Sequence, residues 1–193
     1  AYPHATKDPV VLASSIVMKL QTLASRESSP LEPVVVTVGS FHAGTKHNII
    51  PDEARLQLTV RSYTDASREL LLSGIERIAT GEAIAAGIPE ESWPSVSVKE
   101  NYTPAVYNSP ELAAQVADDL SGRFGEGRVI EIPSTMGGED FGRYRRADPD
   151  HIQSLLLSIG GVPQANWDAA EKGELDLPSL HSPFWAPDAE MVI

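Results

Sequence analysis

Ala54-Arg55-Leu56-Gln57-Leu58-Thr59-Val60-Arg61 alternates without a break, and its reading decides the fold of the first half of the chain. Side chains on a strand have a period of two. Leu56, Leu58 and Val60 therefore share one face, while Arg55, Gln57, Thr59 and Arg61 share the other. Upstream, beyond breaks at Pro30 and Pro33, the β-branched run Val34-Val35-Val36-Thr37-Val38 predicts a second strand, and Gly39 to Thr45 a loop. A helix flanks the pair on each side. Asp8-Pro9 is a strong helix start, because Asp accepts the first free amides and Pro is pre-set for the first helical position. Behind it Ala13, Ile16, Val17, Leu20, Leu23 and Ala24 recur at helical spacing and predict a helix over 9–25. Thr64-Asp65 caps a further helix with Leu71, Ile75 and Ile78 as its buried stripe. Past a polar turn between Pro89 and Pro94, Val96 and Val98 mark another strand. The order helix, strand, strand, helix, strand is that of a ferredoxin-like βαββαβ unit without its first strand.

The chain leaves this unit around Tyr102 to Asn108, which puts a boundary near residue 104. Ser109-Pro110 starts a helix with Leu112, Val116 and Leu120 on one side, and Val129 to Ile132 predicts a short strand. Leu155 to Ile159, closed by Gly160-Gly161, is a continuous apolar run of the kind expected of a buried strand in an α/β sheet. The chain opens at Ala1-Tyr2-Pro3-His4 and stops at Met191-Val192-Ile193, which reads as the first turn of a helix; both ends look cut.

Composition narrows the function classes. With 15 Lys plus Arg against 27 Asp plus Glu, the 193 residues carry a formal net charge of -12, which disfavours non-specific nucleic-acid binding. The chain has no cysteine, so disulfides and thiolate zinc sites are excluded. No apolar run approaches the ~20 residues that span a bilayer, so no membrane partner is expected. No signal peptide is visible. A soluble protein is expected, with cytoplasm and periplasm both open.

No motif is complete for catalysis by spacing alone. His181, in Leu180-His181-Ser182-Pro183, follows a Gly- and Pro-punctuated loop after the apolar run, where α/β folds gather ligand sites. A neutral imidazole there could ligate a divalent metal; a surface or capping histidine is the plainer alternative. In Gly137-Gly138-Glu139-Asp140-Phe141 the glycines permit close approach, and the carboxylates could cap a helix or line a cleft. Asn48, in His47-Asn48-Ile49-Ile50-Pro51-Asp52, and Arg61 suit a carboxylate or a polarised carbonyl, against a turn Asn and a solvated Arg. His4, His42 and His47 read as loop histidines.

Together, in order, these segments resemble a known family. Tyr2-Pro3-His4, Asp8-Pro9-Val10, Val36-Thr37-Val38-Gly39, Gly44-Thr45, Asn48-Ile49-Ile50-Pro51-Asp52 and Arg61 resemble the lid of the hippurate hydrolase-like amidohydrolases, in the aminoacylase and carboxypeptidase clan. Met136-Gly137-Gly138-Glu139-Asp140-Phe141 and Leu180-His181-Ser182-Pro183-Phe184 continue the match, which covers nearly the whole chain. The resemblance implies an α/β fold class. Residues 1–103 would be a ferredoxin-like lid that builds a homodimer, and 104–193 the C-terminal part of the catalytic α/β domain, its closing helix missing. It implies two divalent metal ions, zinc or manganese, and hydrolysis of an N-acyl amino acid or similar conjugate by a metal-activated water. His181 matches the last metal ligand, Asn48 and Arg61 match lid residues that hold the substrate, and Gly138 and Glu139 match a loop bordering the cleft. The general-base glutamate and the other ligands would lie upstream of this chain, which alone is expected to be inactive. A dipeptidase or a deacetylase of diaminopimelate derivatives stays open within the class, and a non-catalytic dimerisation module outside it.

Overall fold

The computed structural model describes residues 2–188 of the 193. Met191 to Ile193, read above as the start of a helix, lie outside the described residues. Helix α1 spans Pro9–Thr22, strand β1 Val34–Ala43, strand β2 Ala54–Ser62 and helix α2 Asp65–Ala85. Later come α3 (Pro110–Phe124), α4 (Gly142–Arg146) and α5 (Gln164–Glu171).

The helix starts follow local chemistry. The Asp8 side chain accepts from the Val10 amide at 2.8 Å, and Thr64 Oγ1 accepts from the Ser67 amide at 3.1 Å. At its end α1 widens into a π turn over Leu23–Glu27, closed by the Ser28 amide on the Leu23 carbonyl at 2.8 Å. α2 ends on Gly87, whose φ of 65° is left-handed, with Ile88 N–H reaching back to the Ala83 carbonyl at 2.9 Å. Lys7 Nζ adds a cation to that end by donating to the Ala86 carbonyl at 2.9 Å.

β1 and β2 form a two-stranded antiparallel sheet in which Val36 faces Val60 and Val38 faces Leu58. A bulge lies between Val38 and Ser40, so Gly39 is the extra residue. Here the expected loop is corrected. The bulge absorbs the irregularity, the ladder continues to Ala43 opposite Ala54, and His42 is a strand residue opposite Arg55. The alternation of β2 is seen in full: Leu56, Leu58 and Val60 are half-buried, while Arg55, Gln57, Thr59 and Arg61 are exposed.

Both helices cover the apolar face of this hairpin. Ile16, Leu20 and Leu23 meet Leu71, Ile75, Ile78 and Ala79 over Val36, with Val34, Val38, Leu56, Leu58 and Val60 packed around them. Leu20, Leu23 and Leu71 are wholly buried, and each such side chain stabilises by about 1.5–3 kcal/mol.

Beyond this unit the expected strands do not form ladders. Val96 and Val98 form no strand among the described residues. The split βαβ order sets the last strand beside the first, and no described segment occupies that first position. Val129–Ile132 is likewise unpaired. Of the run Leu155–Ile159, expected to be buried, Leu155 is half-buried but Leu156, Leu157 and Ile159 face solvent, Ile159 at 71% exposure. A buried parallel strand needs neighbours on both edges and cover on both faces, and the described residues provide neither. Among the described residues this run is held at its start. Ser109 N–H donates to the Ser154 carbonyl at 2.8 Å, and the Asn108 amide exchanges two hydrogen bonds with Leu156, at 2.8 and 3.0 Å. No described helix is long and apolar enough to cross a membrane.

Candidate functional site

Arg61 and the Gly-Gly-Glu loop come together. Arg61 lies on the exposed face of β2, at the end where the strand meets α2. Its Nη1 donates to the carbonyl of Met136, immediately before Gly137 and Gly138. A Cβ on Gly138 would meet nothing within 4 Å, so the loop there is open. Glu139 Oε1 accepts from the Phe141 amide at 3.3 Å, next to the start of α4. This is a bond within the turn; α4 itself starts at Phe141 without a side-chain cap, so the capping role the sequence allowed for this carboxylate is not taken up.

Asn48 does not join them. It sits exposed in the turn linking the strands, beyond the end where Ala43 faces Ala54, whereas Arg61 pairs with Val35 near the other end. At the usual rise per residue Ala54 and Arg61 are about 23 Å apart. Within one chain Asn48 and Arg61 cannot hold the same small group.

His181 is exposed in the turn at Leu180–Pro183, where the Ser182 amide donates to the Ser179 carbonyl at 2.8 Å. No group of three or more His, Asp or Glu suited to a metal ion is found among the described residues. One imidazole does not make a metal centre, since catalytic zinc normally takes three protein ligands. The donors described here do not by themselves fit a dinuclear site.

Sequence reading missed a polar cluster beside Arg61. Asp65, in the first turn of α2, accepts from Arg146 Nη1 with both carboxylate oxygens, at 2.9 and 3.0 Å. That bond is the main reason the Arg146 pKa is raised above its ordinary value, partly offset by desolvation. The guanidinium stays charged at any physiological pH. The Arg68 guanidinium stacks 4.0 Å from the centroid of the Tyr102 ring, and Arg143 Nη2 donates to the Tyr102 carbonyl. Arg145 lies 4.4 Å from the Tyr107 ring centroid. The available signal was Arg143-Tyr144-Arg145-Arg146, a basic run in an acidic chain.

Comparison with known proteins identifies the relatives of this fold. Residues 1–86 match the peptidase dimerisation domain of M20 peptidases. The chain's first 86 residues belong to the M20 peptidase dimerisation-domain family. An N-acetyldiaminopimelate deacetylase of Leuconostoc citreum (strain KM20) is 37% identical over 160 residues, covering 83% of this chain and 39% of the relative. One from Streptococcus pneumoniae serotype 19F (strain G54) is 37% identical over all 193 residues, covering 45% of the relative. The chain thus spans less than half the length of these curated relatives. Among solved structures, one from methicillin-resistant Staphylococcus aureus aligns at a TM-score of 0.65 with 31% identity, over 77% of this chain and 37% of that one. The Bacillus subtilis YXEP protein, described as a dinuclear metal binding peptidase from the M20 family, aligns at 0.57 with 27% identity, over 72% and 34%. The α/β fold class and the lid expected from the sequence agree with these likenesses.

Proposed function

We propose that this chain is the dimerisation lid and part of the catalytic domain of a metal-dependent amidohydrolase. In a polypeptide of the relatives' length, it would release the acyl group of an N-acyl amino acid or related conjugate. The observation that carries this reading is the match over all 193 residues to a deacetylase of an N-acylated amino acid. The contact of Arg61 with the Met136 carbonyl supports it, because a guanidinium at the mouth of an open glycine loop suits a substrate carboxylate. To take that carboxylate bidentately, Arg61 would exchange its bond to Met136.

In this reading Arg61, Gly138 and Glu139 border the substrate and His181 is one metal ligand. The remaining ligands and the general base come from residues outside this chain. Two metal ions, zinc or manganese, would supply Lewis acidity. Because the donors described here fall short of such a centre, no catalytic step is assigned to them. Asn48 lies too far along the hairpin to share a cleft with Arg61 of its own chain. In a homodimer built through the lid, the two ends of each hairpin would serve different clefts. The domain division at 103/104 belongs to the same proposal.

The test uses the protein at the relatives' length, assayed on a panel of N-acyl amino acids with and without chelator. His181→Ala is expected to abolish turnover, and undiminished turnover in that variant would remove His181 from the site. Hydrolysis that chelator leaves untouched would end the metal mechanism. A non-catalytic dimerisation module is the second reading, favoured by the lack of a metal-binding group among the described residues. An intact mass of 20.8 kDa for the cellular protein would select it; roughly double that would select the hydrolase.

A further inference from the structure

Two parallel ties join the same two stretches of chain. Arg61 holds Met136, and four residues on Asp65 holds Arg146. Between them lies the linker residue Tyr102. Its ring is stacked by Arg68 at 4.0 Å and approached by Arg146 at 5.9 Å, while Arg143 binds its carbonyl. The lid stretch 61–68 thus grips the stretch 136–146 through a residue of the linker that connects their domains. The linker also lies hard against α4: a Cβ on Gly142 would come within 2.6 Å of the Ala105 carbonyl oxygen.

What holds this junction is polar. Every buried member of the hydrophobic core lies between Ala13 and Ala83, so none comes from the 102–146 side of the junction. The side chains of Arg146 and Asp65 are 46% and 67% exposed. Contacts of this kind are individually weak and screened by salt. Domains joined by a small polar interface move relative to one another by default. The relative placement of Arg61 and the Met136–Glu139 loop therefore depends on a few side chains that make no part of the loop.

We infer that Asp65, Tyr102 and Arg146 form a positioning cluster that holds the Met136–Glu139 loop against Arg61 and so sets how tightly substrate binds, without touching it. The effect on binding rests on the function proposed above; the effect on geometry does not.

The absence of cysteine makes the geometry directly measurable. Spin labels on Thr59→Cys and Asp150→Cys, both exposed, report one distance between β2 and the segment after α4. A single narrow distance distribution is expected. Asp65→Arg should broaden it, and adding Arg146→Asp should narrow it again, because the exchanged charges re-form the pair. Tyr102→Ala, which leaves the helix start intact, should broaden it independently should Asp65→Arg not fold. A distribution unchanged in both Asp65→Arg and Tyr102→Ala overturns the inference, as does a charge exchange that fails to restore it.

In the enzyme at the relatives' length, Asp65→Arg should raise KM about tenfold, leave kcat within about twofold, and be reversed by the exchange. Equal loss in kcat alone would overturn the positioning role. An enzyme that hydrolyses no amide would instead remove the proposed function, while the distance measurement still decides whether the cluster holds the loop.

Discussion

The two halves of the chain follow the same local rules and reach different ends. In the lid, caps and periodic stripes converge on one core, where Leu20, Leu23 and Leu71 are wholly buried. In the second half the helices also form where Ser109-Pro110 and the Gly-Gly-Glu loop announce them. Yet α3 buries no residue fully, and Ile130, Leu157 and Ile159 face solvent. Propensity and capping specify an element, but only a partner surface lets it bury its apolar face. The lid carries both sides of its core within one stretch of sequence. The apolar strands of the second half have none of their partners among the described residues.

The comparison breaks first under amide hydrogen exchange, where the largest contrast is expected. Amides of β1 and β2 that face each other should be strongly protected, while those of 129–132 and 157–159 should exchange close to the free-peptide rate. Protection of 157–159 in this chain alone would mean that these residues find a partner in solution. Next in size is Leu71→Ala, which should destabilise the lid by about 2–5 kcal/mol in denaturant unfolding. The Asn108 to Leu156 stitching of the second half, with no buried core behind it among the described residues, should be lost at denaturant concentrations where the unmutated lid is still folded. Concerted loss of both would show that the halves fold as one unit.

Thr64→Ala removes the acceptor that caps α2 and should cost about 0.5–2 kcal/mol, restored in large part by Thr64→Ser. The smallest effect belongs to Arg77→Gln. Arg77 ties α2 to Glu27 in the turn after α1, but at a side-chain exposure of 59% the pair should contribute less than about 1 kcal/mol. A larger loss there would mean that the lid relies on its polar rim more than on its core.

Legibility followed the same divide. Asp8, Thr64 and the faces of β2 could be read directly, because caps and pleats act within four residues. The continuation of β1 past Gly39 could not, since a bulge is visible only against its partner strand. At the candidate site, a helix-capping role for Glu139 was among the readings the sequence allowed, and the structure does not use it: α4 has no side-chain cap. The separation of Asn48 from Arg61 follows from their places at opposite ends of one hairpin and needed only the register to become certain.

Sequence by itself determined the lid: its helices, the alternation of β2, the residues of its core, and through an ordered set of motifs its likeness to the M20 dimerisation domain. Tertiary structure decided what touches what across the boundary. Arg61 meets Met136 across 75 residues, and Asp65 meets Arg146 across 81. Such contacts join long, flexible side chains on non-periodic segments. They leave no spacing to read, because what brings them together is the packing of whole elements and not the chemistry of near neighbours.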